Sequence, residues 1–141
     1  MELLHYIVDF GIIGVLILMS IISVATALER RAFYKSIDIT NYKDRKELEL
    51  ELTRRLHLIA TIGSNAPYVG LLGTVLGIML TFSTIGREGL ADTSKIMIGL
   101  ALALKATAIG LLVAIPSIIF YNLLLRRVKE IILKWEMKDG R

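Results

Sequence analysis

Cysteine is missing from all 141 residues, so neither disulfides nor thiolate metal sites are available. His5 and His57 stand far apart, outside any H-x-x-x-H or H-E-x-x-H pattern, and no metal site is expected. The opening M-E-L-L-H-Y lacks the basic region of a signal peptide, so the first apolar run is expected to be retained. No nucleophile–base pairing can be picked out, and G-L-L-G-T-V-L-G lacks the Lys and Ser/Thr of a phosphate loop. Covalent chemistry is therefore not expected of this chain. Charge, too, is absent over long distances. From Pro67 to Ile85 there are 19 residues without one.

What is present is apolar. Hydrophobic residues make up 55% of the chain, above the roughly 45–50% of soluble domains, and mean hydropathy is +0.64. The uncharged stretch from Pro67 to Ile85 spans about 28 Å as a helix, close to a bilayer core of about 30 Å. A first apolar run occupies residues 1–28, and a third begins near Ile96 and lasts to Leu125. That third run is about 45 Å of helix, so its end should project beyond the hydrocarbon.

Net charge is +4, which alone would permit nucleic acid, but the placement of the charges points to topology instead. Eight of the 17 basic residues lie between Glu29 and His57, and six follow Leu125. The link at 86–95 has only Arg87 and Lys95, offset by Glu88 and Asp92, and no basic side chain precedes the first span. By the positive-inside rule the amino end is outside and the carboxyl end inside. The expected chain is all-α: spans at 1–28, 63–85 and 96–125, a cytoplasmic segment at 29–62, an outer link at 86–95 and a basic tail at 126–141. No nucleic acid is expected as a partner.

Within the cytoplasmic segment E-L-E-L-E-L alternates with period two, which favours a strand. Leu48, Leu52, Leu56, Ile59 and Ile62 instead step as a helical stripe, among good helix formers. One helix is expected from Tyr42 to Ile62, capped by Asn41. Pro67 predicts a kink or a fresh start, and Pro116 a kink within the third span. The first span, with Gly11, Gly14 and Ser20 as isolated notches, reads as peripheral and lipid-facing, and Asp9 as an interfacial anchor.

Two spans carry small residues at contact spacing. Ala66, Gly70 and Thr74 recur every four positions in the second span, as do Gly73 and Gly77. Such spacing lets another helix approach closely in lipid. In the third, Ala103, Thr107, Gly110, Ala114 and Ser117 form one narrow face without a bulky side chain. That face reads either as a packing seam or as the smooth wall of a pore built from several copies, with hydroxyls that orient water. Lys105 lies about 13 Å beyond Ile96, near the midplane. An ammonium group there costs several kcal/mol unless it meets protein or water. With no acid inside the second or third span, a carboxylate of another subunit or an anion in the lumen is the expected partner.

A-P-Y-V-G-L-L-G-T-V-L-G-I-M at 66–79, followed by A-T-A-I-G-L-L-V-A-I-P at 106–116, resembles the ExbB/TolQ/MotA proton-channel family, most of all its ExbB and TolQ members. The resemblance covers the second and third spans and agrees with the three-span layout. The cytoplasmic loop is much shorter than in long members. The resemblance implies an inner-membrane, homo-oligomeric ring, usually a pentamer, around the single helices of an ExbD- or TolR-like partner. Protons would be the coupling ion, with no other cofactor. ExbB-type rings energise TonB and outer-membrane transport; TolQ-type rings serve envelope integrity through TolA. The family's pore threonines fall on Thr74 and Thr107, and its kinking proline on Pro116. The glutamate that many relatives carry five residues before the second threonine is Leu102 here, and Lys105 stands one turn on. The ExbB-like role is favoured by the short form. A passive scaffold or a small transporter is the alternative of another class, although the chain lacks a transporter's inverted repeats.

Overall fold

A computed structural model describes residues 2–89 and 92–138, and over these the chain is helical. Helix α1 covers Glu2–Ser36, α2 Arg45–Leu52, α3 Leu56–Glu88 and α4 Thr93–Lys138, with a 3-10 turn at Ile39–Asn41. Helices α1, α3 and α4 are each long and apolar enough to cross a membrane. All three outlast their expected spans. α4, at 46 residues, measures about 69 Å.

The start of α1 and the α3–α4 link share one end of the molecule, which we call the link end. α1 therefore runs parallel to α4 and antiparallel to α3. α3 and α4 pack along their lengths, and α1 lies across both. Two apolar cores result. Near the middle, Leu16 of α1 meets Ile62 and Ala66 of α3 and Val113 and Ala114 of α4. At the other end a larger core gathers Tyr34, Leu48, Leu52, Ile59, Val128 and Trp135. The leucine stripe behaves as its spacing demands: Leu48, Leu52, Leu56, Ile59 and Ile62 are all buried.

That stripe nevertheless belongs to two helices. The single helix expected from Tyr42 to Ile62 is broken at 53–55, where Arg55 takes the left-handed conformation at φ 68°. Three side chains of α1 hold the break. Arg30 donates from Nη1 to the Glu51 carbonyl at 2.7 Å, and the Tyr34 hydroxyl donates to the Leu52 carbonyl. Glu29 lies 3.7 Å from Arg55. Terminal helix carbonyls lack partners of their own, and α1 supplies them. The N-cap of α2 is Asp44, which accepts from the Lys46 amide at 3.1 Å. Asn41 sits in the preceding turn. That turn is capped by Asp38, whose carboxyl Thr40 holds below the usual carboxylate range by hydrogen bonds from its hydroxyl and its amide.

Pro67 starts no helix: α3 runs unbroken through it from Leu56. The position that crowds a helical proline is the carbonyl four residues back, here Gly63. Membrane helices tolerate such prolines when neighbouring groups satisfy the backbone. α4 likewise continues through Pro116, and the tail is helical to Lys138. On α1 the notches at Gly11 and Gly14 touch nothing within 4 Å. Its packing face is Leu16, Ser23, Ala27, Arg30 and Tyr34, whereas Phe10, Leu18 and Ile21 stand exposed.

Candidate functional site

The site is the seam between α3 and α4, and its geometry begins with missing side chains. A Cβ added to Gly70 would lie 2.7 Å from the Ala106 carbonyl oxygen and 3.1 Å from Gly110 Cα. One added to Gly110 would lie 2.7 Å from the Ala66 carbonyl oxygen. Backbone meets backbone at this level, which only glycine on both helices permits. Further along, Gly73 faces Ala106 and Gly77 faces Ala103.

Thr74 and Thr107 close the seam's middle. Their hydroxyls are hydrogen-bonded to each other across the two helices, and Thr74 Oγ1 also donates to the Ala103 carbonyl at 2.9 Å. Each hydroxyl has a single hydrogen. With Thr74 donating to Ala103, Thr107 is the donor to Thr74. The result is a directed chain of two hydroxyls ending on a backbone carbonyl. Thr74 is buried and Thr107 half-buried. A pair of this kind ties the two helices together and leaves oxygen lone pairs as acceptors. It offers no charge to hold an ion.

The rest of the small-residue face is closed off within the chain. Ala103, Gly110, Ala114 and Ser117 are buried against α3 and α1, so in the single chain they form a packing seam rather than an open wall. Ser117 is the clearest case. Its Oγ lies 2.7 Å from Ser23 Oγ on α1 and donates to the Val113 carbonyl at 2.9 Å. Spacing alone could not decide the direction of this face, because the same pattern suits a neighbour of either origin.

Lys105 has its partner in the first span, not in another subunit or a lumen. Its ammonium lies 3.9 Å from Asp9 Oδ2 on α1 of the same chain. The expected acid of another subunit is thus matched by one from the first span. Asp9 is 18% exposed and Lys105 50%, so the carboxylate is the sheltered member. Matching the acid within the first span to the base within the third would have found the pair.

Asp9 also walls a cavity of about 340 Å³ that opens at the link end between α1 and the α3–α4 pair. Its floor is Gly73, Ala103 and Ala106, and the Ala103 carbonyl accepts from Thr74. Leu102 lines it as well.

Known proteins resemble this chain over most of its length. The model of the MotA/TolQ/ExbB proton channel family matches residues 24–137. A "Biopolymer transport protein ExbB" of Aquifex aeolicus is 55% identical over 140 residues, covering 99% of this chain and 95% of that protein. A "Putative biopolymer transport protein ExbB-like 2" of Helicobacter pylori is 57% identical over 130 residues, 92% of this chain and 87% of that protein. A "Tol-Pal system protein TolQ" of Pseudomonas aeruginosa is 49% identical over 78 residues, 55% of this chain and 33% of that protein. With three helices able to cross a membrane, a threonine-bearing seam and matches of this extent, the chain belongs to the MotA/TolQ/ExbB proton channel family.

Proposed function

We propose that the chain is an ExbB-like subunit of a proton-driven motor in the bacterial inner membrane, its amino end periplasmic and its carboxyl end cytoplasmic. Copies form a ring, a pentamer as is usual for the family, around the membrane helix of an ExbD-like partner. The assembly passes the energy of the proton gradient to a TonB-like protein for transport across the outer membrane. The observation that carries this reading is the bonded pair Thr74–Thr107, one hydroxyl on each of two spanning helices. The orientation is supported by the basic residues clustered at 29–57 and after Leu125.

A TolQ-like role is the second reading, favoured by the 49% identity to a TolQ protein over 78 residues. The ExbB-named relatives match nearly the whole chain, which favours the first. Copurification with the product of the adjacent gene, then mass measurement of the intact complex, tests assembly. Thr74→Val and Thr107→Val should each leave the complex assembled while cutting proton-coupled activity at least tenfold. A monomeric chain in mild detergent, or full activity in the double valine variant, would overturn the proposal.

A further inference from the structure

The cavity at the link end is walled on one side by α1, so it lies within one subunit. At about 340 Å³ it has room for roughly ten waters at ~30 Å³ each. Apolar cavities stay dry, whereas polar groups that need partners hold water. Here the mouth is polar: Glu88 and Asp92 flank it, with Thr81 and Thr84 below. Thr81 donates its hydrogen to the Gly77 carbonyl at 2.9 Å and Thr84 to the Leu80 carbonyl at 3.0 Å. With their hydrogens engaged, both hydroxyls are left as acceptors. The carboxylates of Asp9, Glu88 and Asp92 outnumber the one ammonium in the lining, Lys95, which favours a hydrated proton over an anion.

Asp9 stands at the junction of this cavity and Lys105. Among the described residues the charged or titratable groups around the cavity and Asp9 are His5 and Tyr6 on its own helix, Glu88 at the end of α3, Asp92 just before α4, and Lys95 and Lys105 on α4. Among the described residues Lys105 is the one within ion-pair distance of Asp9, at 3.9 Å, and it does not line the cavity.

We propose that the cavity is a water-filled inlet, internal to each subunit, that delivers protons from the link-end face to Asp9. Asp9 is the proton-accepting carboxylate of this chain, and Lys105 is its counter-charge at 3.9 Å. A hydronium in the cavity transfers one proton to an Asp9 carboxylate oxygen, forming an O–H bond and leaving water. Lys105 retains its three N–H bonds and loses its counter-charge, so its ammonium is released toward another acceptor. At its floor the cavity reaches Ala103, whose carbonyl accepts from Thr74 at 2.9 Å. The inference rests on the proton-driven reading above and gives it an inlet other than the ring's centre.

The absence of native cysteine makes the test direct. A thiol reacts as its thiolate, which forms in water and not in lipid. Val8 lines the cavity, while Ile7, one residue nearer the helix start, is 58% exposed on the outer surface. In membrane vesicles bearing the full complex, a charged methanethiosulfonate added from the link-end face should label Val8→Cys at least tenfold faster than Ile7→Cys. Depth alone would favour Ile7, so equal or reversed rates overturn the inlet. This labelling needs no proton coupling, and a fast Val8→Cys in an uncoupled wild-type complex would reject the motor reading and keep the inlet.

The acceptor is tested with the same complex in vesicles containing a pH-sensitive dye. Asp9→Asn should reduce proton uptake at least tenfold, and Asp9→Glu should retain it. Exchanging the charges, Asp9→Lys with Lys105→Asp, restores the ion pair but moves the carboxylate out of the cavity. The exchanged variant should assemble without taking up protons. Uptake restored by the exchange, or undiminished in Asp9→Asn, overturns the assignment.

Discussion

At the scale of single residues, adjacent arginines have opposite roles. Arg31 is exposed, whereas Arg30 is 3% exposed and engaged on every side. It bonds both oxygens of Glu29 at 2.6 and 2.8 Å and the Glu51 carbonyl at 2.7 Å, and it lies 4.4 Å from the Phe33 ring centroid. Arg30→Met should destabilise the chain by about 2 kcal/mol, the loss of a charged donor to a helix end. Arg31→Met should change it by less than about 0.5 kcal/mol. Urea unfolding in detergent, followed by fluorescence, measures both. Composition counts the two alike, and the difference arises from a partner at Glu51, far along the chain. Asp9 and Lys105 were hidden for the same reason. Lys105 is visible as an intramembrane charge and Asp9 as an interfacial one, but their meeting depends on how α1 crosses α4.

Among elements, the break between α2 and α3 is the least expected. The leucine stripe was legible because burial follows side-chain spacing, and all five members are buried. The break was not, because residues 53–55 are helix-compatible and the groups that cap α2 come from α1. Arg55 adopts a left-handed backbone that costs a side chain about 1–2 kcal/mol and glycine almost nothing. Arg55→Gly should therefore stabilise the fold by about 1 kcal/mol, its exposed pairing with Glu29 contributing little. Were the helix continuous, the same change would destabilise it by about 1 kcal/mol, so thermal unfolding decides the sign. The seam between α3 and α4 was half legible. Glycine and alanine at intervals of three and four announced a close contact. Which neighbour filled it required the backbone of α3 beside Gly110.

Across the whole molecule, the central core and the larger core around Trp135 share no buried member. The single tryptophan reports on the latter, donating from its indole nitrogen to the Tyr42 carbonyl at 2.9 Å. Leu52→Ala should cost about 2–5 kcal/mol and shift Trp135 emission to the red at lower denaturant. Val113→Ala, in the central core, should leave the emission of the folded protein unchanged. A red shift in both variants would mean that the cores melt as one. The three-span layout was legible at this scale from hydropathy alone, since α1, α3 and α4 carry the runs the sequence sets apart. The joining of Tyr42 to Trp135 was not, being made by one indole and one carbonyl.

Helix α4 is one piece from Thr93 to Lys138, with Thr107 near its first third and Trp135 close to its end. Such a piece behaves as a lever. A few degrees of lean at the threonine level becomes a sweep of several ångströms some 40 Å away, at ~1.5 Å of rise per residue. The segment Tyr42–Leu52, hooked to the far tip through Trp135, travels with it. Whatever tips this helix inside the bilayer is thereby announced, magnified, on the other side.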